Sequence, residues 1–389
     1  MIHMKKVIYL LLLSVVLFVS CTSKNELKVV VGNPNDLDRR SEMIEIPVKD
    51  IEAKVKLSET EPVYIVKNVQ GEIVPSQITS DGKLIFQSNL EAKQTSIFFV
   101  TAGVAQEYKA KTYGRFITER KDDFAWENDR VAFRVYGPAL VETDGPSNGI
   151  DAWYKRTEEM VIDKWYKDDL AGVASYHDDH GEGQDDYKVG RTLGAGAMAP
   201  YANDVLWLNG NFTSQEVLDN GPLRTTFKLT YDNVDVDGKS YAETRTISID
   251  AGSQLTKIIQ EYGVDKLMPV AAGIVKRAEN DSIITSLENN YVVYAEPFSD
   301  VVENVYLGMV FPDGIEKSVV DTYTINHVIS KEDQTHSHVL AIATYTPGTP
   351  VVYYTGTGWS KFGFPTVADF QKYVADFSTA LKEPIVVKY

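Results

Sequence analysis

From Leu223 to Tyr231 the side chains change character at every step. Leu223, Thr225, Phe227, Leu229 and Tyr231 alternate with Arg224, Thr226, Lys228 and Thr230. A period of two puts one set on each face, so the stretch reads as a strand with one side toward a core. Asp237-Gly238 turns the chain, and Thr244 to Ile249 returns with Ile247 and Ile249 on one face, giving a long antiparallel pair. The pattern recurs. Ile44, Ile46 and Val48 alternate with Glu45, Pro47 and Lys49, and Val63 to Val66 and Ser96 to Val100 are apolar runs. Asp81-Gly82 separates Pro75 to Ile78 from Leu84 to Phe86 as a hairpin turn. Further strands are predicted at Val131 to Tyr136, Leu255 to Tyr262, Tyr291 to Tyr294, Val305 to Phe311, Val339 to Tyr345 and Val351 to Tyr354. Helical spacing is clear near the end, where Val367, Phe370, Tyr373, Val374, Phe377 and Leu381 share a face. Thr366 with Asp369 has the form of a capping box, Pro384 stops the helix, and Ile385 to Val387 reads as a last strand. The expected fold is all-β with a C-terminal amphipathic helix. A small β-sandwich spans residues 25–108, a polar boundary runs from Ala105 to Tyr113, and residues 113–389 form a second, larger unit.

The first residues set the compartment. Lys5 and Lys6 precede an apolar run, Val7 to Val19, that ends in small residues before Cys21. A run of about thirteen residues is short for a bilayer core of about 30 Å, so residues 1–21 read as a lipoprotein-type signal with Cys21 as the lipidated first residue. An ordinary cleaved signal is the alternative. The expected location is the periplasm or outer membrane. Cys21 is the only cysteine, so no intramolecular disulfide can form and the fold rests on burial. A composition 43% apolar and 24% charged is that of a globular chain, and a net charge of −16 argues against nucleic acid. An anionic substrate has to be held by local Arg and Lys.

The stretch from Tyr176 to Arg191 is the densest in chemistry: it carries two of the six histidines, with Asp178, Asp179, Glu182, Asp185, Asp186, Tyr187, Lys188 and Arg191. A solvated loop is the bland reading. His177 and His180 are spaced to reach one ion, with Asp178 or Asp185 completing the shell, so a divalent metal, calcium or zinc, is the cofactor the set would admit. No His-Glu-x-x-His occurs, and Gln184 stands where a calcium loop needs glycine. Elimination needs a base next to a uronate carboxyl and a cation to neutralise that carboxylate. His177 or His180 would be the base, Tyr187 the acid, and Lys188 with Arg191 the carboxylate holders. Glycoside hydrolysis instead needs two carboxyl groups, for which Glu182 and its acidic neighbours are candidates. Trp153, Arg156 and Trp359 are candidate sugar contacts; the tryptophans read equally well as packing residues, and Thr355 to Trp359 as a tight turn. His336 and His338 face one way if extended. Dinucleotide, phosphate-loop and Gly-x-Ser-x-Gly signatures are missing.

Five motifs in order carry a resemblance. They are Ala132 to Ala139, Gly149 to Trp153, Asp163 to Tyr166, the His-Gly-Glu-Gly-x-Asp-x-Tyr-x-Val-Gly core from His180 to Gly190, and Gly356-x-Gly-Trp359. Together they look like the domain of unknown function family 4861 of Bacteroidetes-type bacteria. The resemblance covers nearly the whole mature chain. It implies an exported protein of polysaccharide-degradation loci, often those handling uronic-acid glycans, with a β-supersandwich like that of galactose mutarotase and several polysaccharide lyases. No catalytic role comes with it, and Arg191-Thr192-Leu193-Gly194 departs from the serine-arginine-glycine expected after Gly190. The functional expectation is a carbohydrate-active enzyme acting on uronic-acid-containing oligosaccharides by elimination or hydrolysis. A non-catalytic glycan-binding lipoprotein and a structural partner in an envelope complex are the alternatives.

Overall fold

The computed structural model describes residues 25–277 and 279–389, so the signal segment and Cys21 lie outside the described residues. The first sandwich has the expected alternation. Glu26–Gly32, Thr95–Gly103, Val63–Asn68 and Ile73–Val74 form one sheet, and Arg39–Pro47, Lys83–Leu90 and Ser76–Ile78 form the other. Val29, Val31, Ile44, Ile46, Val66, Phe86 and Val100 fill the space between them. The first sheet gains its fifth strand from the far end of the chain: Val386–Lys388 pairs antiparallel with Glu26–Gly32, Val31 opposite Val387. The division at residue 113 therefore does not hold for the last strand. Its pairing covers a sheet edge that residues 25–108 leave open.

The larger unit is a second antiparallel sandwich. An eight-stranded sheet runs in the order Phe212–Asn220, Arg224–Tyr231, Glu243–Asp250, Leu255–Tyr262, Val351–Trp359, Val305–Val310, Tyr291–Ala295 and Ser282–Ser286. Arg224–Tyr231 and Glu243–Asp250 pair as expected, Phe227 opposite Ile247, while the Asp237-Gly238 turn closes its own small hairpin between them. Two five-stranded sheets make the other layer. One is built on Ala195–Ala202, Met268–Lys276 and Asp333–Tyr345, the other on Thr112–Ile117, Asp123–Asn128, Ala132–Val135 and Ile150–Lys155. A bridge from Ile150 to Gly194 joins them. Ile258 and Tyr353 from the long sheet meet Phe133, Met198, Val270 and Ile274 from the other layer in one continuous core, and Phe124 stacks on Phe227 at 4.0 Å between centroids.

The helix Val367–Lys382 has the expected capping box, with Thr366 accepting from the Asp369 amide. It covers the outer face of the long sheet, laying Phe370 and Val374 on Leu255, Val293, Tyr306 and Val310. This explains Thr355 to Trp359, which is a central strand and not the expected tight turn. Its inward Trp359 joins the core beside the buried Thr355, and its outward Gly358, with Gly308 on the neighbouring strand Val305–Val310, lets the helix close in. A Cβ on Gly358 would lie 2.3 Å from Phe370 Cδ2, and one on Gly308 would lie 2.9 Å from Val374 Cγ2. Gly358→Ala is therefore expected to lower unfolding free energy by about 1–3 kcal/mol through overpacking, read from denaturant midpoints. An unchanged midpoint would mean that the helix does not press on this strand.

Candidate functional site

The Tyr176 to Arg191 segment lies along the edge of the sheet that holds Ile150–Lys155. Its one regular piece, Gly183–Gln184, pairs with Tyr154 and Lys155. Gly183 has φ of 121° there, and a Cβ would fall 1.9 Å from the Tyr154 carbonyl oxygen, so the His-Gly-Glu-Gly run needs its second glycine for this approach. Around this anchor the segment points residues alternately in and out. Tyr176, Asp185, Tyr187 and Val189 are buried, whereas His177, Asp178, His180 and Lys188 are exposed.

Beneath the segment lies a buried guanidinium. Arg134, on Ala132–Val135, is opposite Asp151 in register, and its Nη2 donates to Asp151 Oδ2 at 2.6 Å and to Asp185 Oδ2 at 2.8 Å. Asp123 lies at 4.0 Å from Nε and is also held by Arg120 at 2.6 Å. The rings of Tyr136, Trp153 and Tyr176 surround the guanidinium at 5.1, 5.2 and 5.7 Å. Trp153 itself stacks with Trp165 and Tyr176. Burial pushes the Asp151 carboxyl up to about 7, the Asp185 charge adds to the rise, and Arg134 opposes it. Asp185 and Asp123 are raised for the same first reason. A second buried pair, Lys155 with Glu127 at 2.6 Å, lies next to this centre, and Glu127 also accepts from the Val161 and Ile162 amides at the start of the helix Ile162–Leu170.

His177 sits on this base. Its Nδ1 lies 2.8 Å from the Asp185 carbonyl oxygen and 3.7 Å from Asp185 Oδ2, and its side chain is 54% exposed. Next to a carbonyl, Nδ1 must carry the proton, which leaves the Nε2 lone pair free. His180 is tied back through Nε2 to the Ser175 carbonyl at 3.1 Å. Two ion pairs flank the histidines, Arg156 with Asp179 at 3.0 Å and Lys164 with Glu182 at 2.8 Å. Lys188 is 77% exposed and only loosely paired, 3.9 Å from Asp186.

Other expected partners lie elsewhere. Tyr187 is in the core, donating to the Gly194 carbonyl at 2.9 Å under the Arg277 guanidinium, and burial pushes its hydroxyl well above the usual range. It is therefore corrected from acid to core residue. Arg191 spends its donors on the Leu208 and Asn209 carbonyls and is corrected from carboxylate holder to loop brace. Trp153 is fully buried and Trp359 nearly so, with its indole N–H on the Val302 carbonyl, so neither offers a face to sugar. His336 lies by Gly190, and His338 is buried, accepting from the Leu193 amide while burial holds its pKa down to about 3. The metal set does not assemble: among the described residues no three His, Cys, Asp or Glu groups come together to hold an ion, and Asp185 is turned to Arg134. The residues missed by sequence reasoning are Arg134 and Asp151, whose signal was a pair of opposite charges among the apolar residues of neighbouring strands.

The family model described as "Domain of unknown function (DUF4861)" matches residues 31–387. The chain belongs to this family. A relative from Formosa agariphila, named "Uncharacterized protein P7", is 32% identical over 406 residues, covering 99% of each chain. Among solved structures, a glycosyl hydrolase family 38 protein from Enterococcus faecalis is 10% identical with a TM-score of 0.48, over 94% of this chain and 47% of that one. A heparinase III is 12% identical with a TM-score of 0.34, over 66% of this chain and 36% of that one. The DUF4861 chain thus spans about half the length of the first solved structure it matches, or less.

Four of the five motifs behind the resemblance meet at Arg134. The first brings Arg134 itself, the second Asp151 and Trp153, the third Trp165 and Tyr166, and the fourth Asp185. Because the Asp151 carboxyl is raised from its ordinary 3.8 to about 7, the folded chain binds its proton more tightly than the unfolded chain. Its contribution to stability is therefore present below about pH 4 and lost as pH rises toward about 7. Asp151→Asn is expected to flatten that part of the profile. Urea midpoints across the same range would test this, and parallel curves for the two proteins would refute it.

Proposed function

We propose that the DUF4861 chain acts on uronic-acid-containing oligosaccharides, with His177 as the base of an elimination reaction. The observation that carries this reading is the Asp185 to His177 contact, which fixes the ring tautomer and leaves an unpaired Nε2 on an exposed residue. A base takes the proton next to the uronate carboxyl; the C–H electrons form the double bond, and the C–O pair leaves with the oxygen, which takes a proton from water. Lys188, exposed and only loosely paired, is the cation for the carboxylate. Hydrolysis asks for one protonated carboxyl of a pair. Asp179 and Glu182 are each held by a cation, so elimination is the better fit.

Incubation with pectin, alginate and ulvan fragments is expected to raise the ultraviolet absorbance of the conjugated unsaturated uronate on at least one of them. His177→Ala should lower that rate by about a hundredfold or more. Flat absorbance with rising reducing ends would transfer the reading to hydrolysis. Saturable glycan binding without turnover would make the chain a glycan-binding lipoprotein. In the same reading the protein is exported and lipid-anchored through Cys21 in the periplasm or outer membrane. Cells expressing Cys21→Ala should then lose the protein from the membrane fraction, and unchanged partition would remove the anchor.

A further inference from the structure

A cavity of about 460 Å³ opens where three parts of the fold meet: the strand Arg39–Pro47 of the first sandwich, the outer face of the eight-stranded sheet, and the helix Val367–Lys382. It shares no lining residue with the His177 face. The volume falls in the range of small-molecule pockets, roughly 300–1,000 Å³, and such pockets favour junctions between domains.

Its floor is an ordered row. Ser248 is opposite Lys257, and Lys257 is opposite Tyr354, so three side chains stand side by side on one face of adjacent strands. Arg224 comes next. Its guanidinium grips both oxygens of Asp250, at 2.5 and 2.8 Å, and Glu45 at 2.6 Å. Lys83 takes the other Glu45 oxygen at 2.8 Å. The nearby carboxylates are thereby engaged, and among the described residues Lys257 has neither a hydrogen bond nor a carboxylate within ion-pair distance. Burial pulls its pKa below the ordinary lysine value. An ammonium left over in a partly buried cavity is unexpected in a chain of net charge −16. The ring of Tyr354, half-buried and edge-on to Phe377 at 5.0 Å, adds an apolar surface.

The chemistry of the lining selects a ligand. Lys257 asks for one negative charge. Glu42, paired with Arg39 at 3.1 Å, and Asp250, paired with Arg224, have no proton to give when ionised, but their remaining lone pairs can accept from a ligand that brings hydroxyl donors. The Tyr354 ring asks for an apolar C–H face. We propose that this cavity binds an acidic saccharide of one or two rings, its carboxylate on Lys257, its hydroxyls on the surrounding carboxylates and its ring against Tyr354. The sugar class is the one proposed for the His177 face, but the site rests on separate residues and stands or falls separately.

Isothermal titration of the full chain with digalacturonate, with cellobiose as the neutral disaccharide and with sodium acetate as the bare carboxylate tests the site. Digalacturonate should bind saturably, and the other two at least about tenfold more weakly. Lys257→Met should weaken digalacturonate by at least about tenfold while any turnover at the His177 face persists. His177→Ala should leave this binding event in place. Absence of saturable binding, equal binding of cellobiose, or full affinity in Lys257→Met overturns the proposal. Binding lost in His177→Ala and kept in Lys257→Met does so too, by assigning the sugar to the other face alone. Melting curves check that Lys257→Met is folded; if it is not, Lys257→Gln takes its place with the same expected loss.

Discussion

The guanidinium of Arg134 is the interaction on which the His177 edge of the fold depends. Removing an ion from water costs several kcal/mol even after relaxation, and the cost is offset only when the ion is well paired. Arg134 draws counter-charges from three places in the chain: Asp151 and Asp185 share Nη2 and Asp123 stands 4.0 Å from Nε, while Nε and Nη1 make no hydrogen bond among the described residues. Asp123 and Asp151 sit in the strands beside Ala132–Val135, while Asp185 follows the two-residue strand Gly183–Gln184 and has its amide on the Tyr176 carbonyl. The arginine thus acts as a buried latch. It draws Asp185 inward, and the carbonyl of the same residue then holds His177.

The aromatic shell follows from the same constraint. A guanidinium that cannot be hydrated is stabilised by ring faces, and Tyr136, Trp153 and Tyr176 supply them. Trp153 in turn stacks on Trp165, which fixes the helix Ile162–Leu170 over the sheet. Glu127 finishes the placement by accepting amide protons at the start of that helix while paired with Lys155. Trp153, which looked like a sugar contact, is therefore part of the packing that makes a buried charge tolerable. The exposed His177 sits one layer further out, held by the residue that the latch positions.

What could be read from the residues divides along periodicity. Alternation from Leu223 to Tyr231 marks a strand because its period of two matches the pleat, and the capping box at Thr366 is a local signal completed within four residues. The Tyr176 to Arg191 segment has only two residues in a strand, so nothing in its pattern tells inward Tyr187 from outward Lys188. Composition alone grouped them. Gly356 and Gly358 were equally ambiguous, since a glycine pair suits a turn or a tightly pressed strand, and only tertiary contacts decide, Gly356 against the Gln254 carbonyl and Gly358 against Phe370. The state of Lys257 was beyond reach. That it is left unpaired depends on Arg224 and Lys83 taking Glu45 and Asp250, and Glu45 and Lys83 belong to the other sandwich.

The junction between the two sandwiches is built to keep a gap. The seam has one small apolar patch, where Met43 and Ile85 meet Leu223 and Ala251, and around it directional polar contacts set the spacing. Gln77 exchanges hydrogen bonds with the backbone at Leu223 and Arg224, Gln87 donates to the Ala251 carbonyl at 2.7 Å, and Ser80 donates to Asp219. Arg39 reaches the end of the long helix through the Ala380 and Glu383 carbonyls. Each contact has a fixed length, and the return strand Val386–Lys388 ties the first sheet to the same helix from the other side. With the seam held at three places, the space between Lys257 and Phe377 cannot collapse without breaking charged or backbone hydrogen bonds. A cleft of set width needs little ordering when a ligand enters, so binding energy there is not spent on closing the domains.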